Sequence, residues 1–310
     1  MKHCLIVFAS IVASIVAPSC TQQQIERKPE KSLFLLRDKS HTNVLFNNTV
    51  EDTNVENFLI YESFYNGGGV ALGDINNDGL LDIYFSGNQV EDQLYLNKGN
   101  LKFEDITTNS GILKKGSWST GVTMVDVNND GLLDIYVCKS LYDDRIDARR
   151  NELYINNGDL TFTESAAKYG LDDANRSMEG SFFDYDNDGD QDLFLVNQPP
   201  NPGILSKLHG KQWLDTAYSC RLYRNDLGRF KDVSQKAGIQ LRGYGLSTST
   251  TDFNNDGYVD FFVANDYDSP DQLFLNNQDG TFRNVINESM RHTSYFSMGS
   301  DVGDINNDGL

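Results

Sequence analysis

Short apolar runs recur along the chain at regular intervals, each bounded by turn residues. Residues 69–73 and 121–125 form a first set, and Ile83–Phe85, Ile135–Val137, Leu193–Val196 and Phe261–Ala264 a second. A third set shares the pattern L-[YF]-x-N at Leu94–Asn97, Leu153–Asn156, Leu222–Asn225 and Leu273–Asn276. A glycine turn follows each of these (Gly99, Gly158, Gly228, Gly280), and a fourth run opens at Phe103, Phe162, Phe230 and Phe282. Runs this short, rich in aromatic and β-branched residues and closed by turn residues, predict strands. The second set is apolar without alternation, which predicts burial on both faces. Four strands in each repeat of about 50 residues is the unit of a β-propeller blade. The expected class is therefore all-β, a propeller of four-stranded antiparallel blades. Phe34–Leu36 and Val44–Phe46 read as further strands of a partial blade.

Between the first and second strand of each unit lies an acidic nonamer of the form D-x-[DN]-x-D-G-x-x-D. It occurs at Asp74–Asp82, Asp126–Asp134, Asp184–Asp192 and Asp252–Asp260, and a fifth copy begins at Asp304. The first positions lie 52, 58, 68 and 52 residues apart. In the first copy Asp74, Asn76 and Asp78 alternate round a tight turn, Gly79 takes the bend, the Leu80 carbonyl can face inward, and Asp82 closes the ring. The matching sets are Asp126, Asn128, Asp130, Leu132 and Asp134; Asp184, Asp186, Asp188, Asp190 and Asp192; Asp252, Asn254, Asp256, Tyr258 and Asp260; and Asp304, Asn306, Asp308 and Leu310. About six oxygens with no cysteine or histidine nearby suit a hard cation with flexible geometry, so calcium is expected rather than zinc, copper or magnesium. An EF-hand is excluded because position 12 is Phe85, Val137, Leu195 or Val263 where a bidentate glutamate is needed. An Asn-Asp-Gly turn can also form with no metal. A plain turn, however, does not require Asp at positions 1, 5 and 9 in every copy. The third loop has one more ligand carboxylate than the other complete loops and is expected to bind most tightly.

The acidic loop joins strands 1 and 2, and the glycine turn joins strands 3 and 4, so both are expected at one end of the blade. From loop position 1 to the leucine of strand 3 there are 20, 27, 38 and 21 residues. The insertions, residues 139–151 and 197–220, thus fall at the other end, where loops on a rigid scaffold commonly bind. His209 and Trp213, in the second insertion, are the ligand-face candidates, whereas Trp118 reads as core.

Charge refines this picture. The net charge is −19, and 15 of the 45 acidic residues sit in the loops, Asp190 not counted. Five calcium ions would leave about −9, too acidic for a nucleic-acid partner, which needs a basic stripe. At the N-terminus, Lys2 and His3 precede an apolar run from Leu5 to Val16. The run is too short to span a membrane but suits a secretory leader. Residues 1–19 are read as signal peptide, 20–33 as a polar tether and 34–310 as the propeller. The 17–20 stretch, Ala-Pro-Ser-Cys, resembles a bacterial lipobox, departing from it at Ala17, and would place a lipid on Cys20. Cys138 and Cys220 could pair or remain buried thiols.

The repeated D-x-[DN]-x-D-G-x-x-D between apolar strands resembles the FG-GAP and VCBS repeats of integrin-α-like propellers. Its pairing with L-Y-x-N-x-G is similar to bacterial and animal proteins of the cartilage-acidic-protein type, the ASPIC/UnbV group. The Asn66–Val70 lead-in and the lipobox look like secreted lipoproteins of Bacteroidetes-type bacteria. The resemblance covers residues 34–310. It implies a propeller, commonly seven-bladed, with Ca2+ in the loops and a surface binding or adhesion role. On that reading the chain is a C-terminally incomplete piece, because the fifth loop lacks its closing Asp. The partner expected is an extracellular protein or glycan, with membrane attachment through the lipid alone, a monomeric state, and an outer-membrane or cell-surface location. The alternative is a polysaccharide lyase or hydrolase on the same scaffold. No H-E-x-x-H or G-x-S-x-G motif is present, and the only acid–base group to name is His209 with Asp215 or Arg221.

Overall fold

The computed structural model describes residues 34–112, 116–142, 144–199, 218–239, 243–267 and 269–307. Among the described residues, sixteen strands form four antiparallel sheets of four, each in simple sequence order. The first sheet holds β1 (Val70–Gly73), β2 (Asp82–Phe85), β3 (Gln93–Asn97) and β4 (Phe103–Asp105). The second holds β5 (Ser119–Val125), β6 (Asp134–Lys139), β7 (Glu152–Asn156) and β8 (Phe162–Glu164). The third holds β9 (Arg176–Phe183), β10 (Asp192–Gln198), β11 (Arg221–Asn225) and β12 (Phe230–Asp232). The fourth holds β13 (Tyr244–Thr251), β14 (Asp260–Asp266), β15 (Gln272–Asn276) and β16 (Phe282–Asn284).

Within residues 38–310 the first strands of successive sheets lie side by side, β1 against β5, β5 against β9 and β9 against β13. The sheets are stacked as propeller blades around these inner strands. Gly121 permits one such approach: a Cβ there would lie 2.5 Å from the Met178 carbonyl oxygen of the next inner strand. The apolar core fills the spaces between blades. Ala71, Tyr84 and Leu94 meet Ile135, Val137 and Tyr154 between the first and second. Val125, Tyr136 and Cys138 meet Leu193, Leu195 and Tyr223 between the second and third. Phe183, Phe194 and Val196 meet Phe261, Val263 and Phe274 between the third and fourth. Full burial of each such side chain contributes about 1.5–3 kcal/mol.

Burial of the second strands on both faces holds for β6 and β10, which are buried at every residue. The first blade differs. Val70 and Leu72 of β1 are 59% and 60% exposed, because among the described residues no sheet covers that side. The two N-terminal strands expected at 34–36 and 44–46 are absent. Phe34–Leu36 is exposed and irregular. Val44–Phe46 runs along the first blade without a ladder: the Leu45 N–H donates to the Tyr95 hydroxyl, and Phe46 stacks on Phe85 at 4.8 Å. An apolar run needs an open strand edge to pair with, and these side chains meet a side-chain surface instead.

Further along, the chain crosses the end of the blades remote from the acidic loops. Tyr61 and Phe64 bury beside Trp118, which is core as expected. The Tyr61 hydroxyl donates to Ser140 of the second blade, and the Ser63 hydroxyl to Gln198 of the third. Cys138 and Cys220 are buried free thiols. No helix among the described residues is long and apolar enough to cross a membrane.

Candidate metal centres

All four complete acidic nonamers connect the first and second strand of a blade, and the strand 3–4 turns lie beside them. Leu227 N–H in such a turn donates to Asp190, and Gln278 donates to Asp256. The four loops repeat one hydrogen-bond plan. The position-1 carboxylate accepts from the backbone N–H groups of positions 5 and 6: Asp74 from Asp78 (3.1 Å) and Gly79 (2.6 Å), Asp126 from Asp130 (3.1 Å) and Gly131 (2.8 Å). Asp184 and Asp252 do the same with Asp188 and Gly189, and with Asp256 and Gly257. The position-5 carboxylate accepts from the N–H of position 7 at 2.9 Å in each loop, through Asp78, Asp130, Asp188 and Asp256. The glycine at position 6 bends the chain back; Gly79 has φ +84°.

The position-9 aspartates Asp82, Asp134, Asp192 and Asp260 are all fully buried. Each spans its blade: one oxygen accepts from the N–H of position 2, as Ile75 does for Asp82 (3.0 Å), and the other from the strand-3 asparagine N–H, as Asn97 does (2.7 Å). The pairs repeat as Val127 and Asn156, Tyr185 and Asn225, and Phe253 and Asn276. Burial pushes all four carboxyls up against these bonds, Asp134 to about 6 and Asp192 to about 7, with further repulsion from the other aspartates of the loop.

Position 3 separates the third loop from the rest. In the other three loops an asparagine amide donates to the position-5 carboxylate: Asn76 to Asp78 (3.0 Å), Asn128 to Asp130 (2.9 Å) and Asn254 to Asp256 (3.0 Å). In the third loop Asp186 has no amide to give. Its Oδ1 is buried with no hydrogen-bond partner, and burial together with Asp188 and Asp184 raises its pKa. Asp184, Asp186 and Asp188 bring carboxylate oxygens within 4.8 Å of one another, a group able to hold a metal ion. The donor set there is all oxygen, and the unpartnered Asp186 oxygen is the atom a cation would satisfy, so the residues fit a hard divalent ion. Asp190 is engaged otherwise: its carboxylate accepts from Asn129 of the preceding blade (2.8 Å) and from Leu227 N–H (3.1 Å).

In the fifth loop, Asp304 and Asn306 are exposed, while Asp308 and Leu310 lie outside the described residues. Cys20, His209 and Trp213 also lie outside them. The sequence pattern left one residue out: an asparagine at position 4 in all five copies (Asn77, Asn129, Asn187, Asn255, Asn307), always left-handed with φ of 57–60°. The conformation alone explains an asparagine, which is why the position read as a spacer. A second titratable cluster sits at the opposite end, between the first two blades. Lys139, 1% exposed, lies 3.2 Å from Asp92 and 2.8 Å from Glu152. Burial alone would lower its pKa, yet the two carboxylates hold it above the ordinary value. Tyr84 and Ser119 donate to Asp92, and Tyr154 to Glu152.

The chain is similar to cartilage acidic protein 1 of Xenopus tropicalis, 24% identical over 217 residues that cover 68% of this chain and 31% of that protein. It is likewise 24% identical to the human cartilage acidic protein 1 over 207 residues, covering 65% and 29%. The chain thus spans about a third of the length of these relatives. Among solved structures, an Agrocybe aegerita lectin that recognises non-reducing terminal N-acetylglucosamine aligns with TM-score 0.35 and 19% identity, covering 68% of this chain and 50% of the lectin. An exo-β-1,3-galactanase of Phanerochaete chrysosporium aligns with TM-score 0.39 and 8% identity, covering 67% and 46%. FG-GAP-like repeats match residues 74–137, 144–195 and 252–310, spans that contain all four complete acidic loops and the start of the fifth. With more than half of its residues inside these matches, the chain belongs to the FG-GAP-like repeat family.

Proposed function

We propose that the chain is a calcium-stabilised binding module of the cell surface, with Ca2+ in its acidic loops and an extracellular protein or glycan as its partner. The observation that carries the calcium reading is Asp186, whose buried oxygen has no hydrogen-bond partner inside a three-carboxylate group. Asp184, Asp186, Asp188 and the position-7 carbonyl would hold the ion in the third loop, and the equivalent residues would do so elsewhere. Binding to the folded state alone stabilises it by about 2–3 kcal/mol per site at a hundredfold excess over Kd. The surface placement rests on the leader and on Cys20 in the sequence.

The test is elemental analysis of the purified protein together with melting in chelator and in millimolar calcium. Bound calcium and a melting temperature many degrees higher with calcium support the reading. Equal melting in both, with no bound ion, overturns it. A glycan and extracellular-protein array then addresses the partner. Release of reducing or unsaturated ends from a polysaccharide panel would replace the binding role with an enzymatic one.

A further inference from the structure

We infer that the acidic loops are coupled in pairs: the position-4 asparagine of the first loop of a pair holds the peptide next to the ligand carbonyl of the second, so that an ion in one loop tightens binding in its neighbour. This rests on the calcium reading above. Asn77 donates its amide to the Gly131 carbonyl of the second loop (3.0 Å), and Asn187 donates to the Gly257 carbonyl of the fourth (3.2 Å). Each bond crosses from one blade to the next. The receiving peptide is the one that leads into position 7. Its N–H, that of Leu132 or Tyr258, donates to the position-5 carboxylate of the same loop at 2.9 Å. It is therefore held by its oxygen from the preceding blade and by its nitrogen from its own loop. The next carbonyl along is the one expected to face the ion.

The donor end is just as closely tied. Asn77 stands between two expected ligands, Asn76 and Asp78, in the left-handed conformation (φ 59°). An ion that fixes those two residues fixes Asn77 as well, and with it the peptide in the second loop. The neighbour then has less freedom left to lose on binding, which is positive coupling without any large movement. A return tie from the strand-3 asparagine to the preceding loop is present at all three junctions, Asn225 to the Val127 carbonyl (3.2 Å) included, so the pairs are set apart by the position-4 asparagine alone. Asn156 of the second blade donates to the Ile75 carbonyl in the first loop (2.8 Å), and Asn276 of the fourth donates to the Tyr185 carbonyl in the third (2.7 Å). The link between loops two and three takes another route. Asn129 reaches the Asp190 carboxylate and not the Gly189 carbonyl, because only the third loop has an aspartate at position 7. The strong couplings are thus within loops one and two and within loops three and four.

Calcium titration of the full chain, followed by the amide resonances of Gly79, Gly131, Gly189 and Gly257, reads each loop separately. Asn77→Gly keeps the left-handed backbone without strain and removes only the amide. Loss of a hydrogen bond of this kind is expected to raise the calcium midpoint at Gly131 about fivefold. The midpoints at Gly189 and Gly257 stay within twofold, which also shows that the variant is folded. Asn187→Gly does the same to Gly257. Asn129→Gly makes an equal backbone change but leaves Gly189 within twofold. Emptying the first loop with Asp74→Asn and Asp78→Asn shifts Gly131 as Asn77→Gly does. An unchanged Gly131 midpoint in Asn77→Gly, with the loops still titrating, overturns the coupling and leaves the calcium reading standing. No response to calcium in any loop overturns both.

Discussion

On the proposed calcium reading, removing the ion should invert the protein's response to acid between pH 7 and pH 5. The buried position-9 aspartates carry the effect. Asp192 is raised to about 7 and Asp134 to about 6, from an ordinary value of 3.8. A carboxyl whose pKa is higher folded than unfolded binds its proton more tightly in the folded state. It therefore opposes folding when ionised, and stability is regained as pH falls through the folded pKa. With 1.36 kcal/mol per unit, lowering the pH from 7 to 5 returns about 2 kcal/mol at Asp192 and about 1 kcal/mol at Asp134. For a domain of this size that is roughly 6–10 °C in melting temperature. The carboxylates held below their ordinary value, such as Asp226 beside Lys231 and Arg224, act in the opposite sense, and their loss falls mainly below pH 4. A bound dication favours the ionised loop and removes the gain. Calorimetric melts at pH 7, 6 and 5, in chelator and in calcium, make the comparison. Asp192→Asn serves as the control, since it should flatten the metal-free slope whatever its effect on absolute stability. A chelated protein that melts progressively lower from pH 7 to 5, or an unaltered slope in Asp192→Asn, refutes the reasoning.

Asp186→Asn gives the third loop the amide that the others have. In chelator it should stabilise the protein by about 1 kcal/mol, by relieving the buried unpartnered oxygen, while weakening calcium at Gly189; destabilisation in chelator would count against this. Lys139→Met leaves Asp92 and Glu152 buried together without their cation and should cost about 3–5 kcal/mol in urea unfolding. A loss under 1 kcal/mol would show the cluster to be solvated. Gly68→Ala drives a Cβ into the Ser86 carbonyl oxygen and should cost about 1–3 kcal/mol. A neutral result would mean that the lead-in to β1 shifts freely.

The repeat was legible because its elements are set by local chemistry. β4, β8, β12 and β16 begin at the four phenylalanines, and the glycine turns precede them as read. Strand limits at the other end were less legible. β6, β10 and β14 start at the position-9 aspartate, one residue before the apolar run, because that carboxylate is itself part of the strand-3 pairing. Val44–Phe46 has the composition of a strand and lacks an edge to join, which only the tertiary arrangement decides. The strand-3 asparagines show the same limit. Asn156 donates to Leu133 in its own blade and to Ile75 in the preceding one, while its oxygen accepts from Gly158. The pattern L-Y-x-N-x-G exposes the last contact, whereas the contact with Ile75, 81 residues away, has no local signature.

The segment that carries Tyr61 and Phe64 has a consequence for assembly order. It is held at Ser140 and Gln198, and Glu62 reaches Tyr267, so its anchors belong to the second, third and fourth blades. A strap early in the chain that fastens to later blades finds its seat only once those blades exist. Contacts so distant along the chain form slowly. The strap should accordingly be the last part to gain hydrogen-exchange protection on refolding, and the Tyr61 amide would report its arrival as a clasp closing over blades already built.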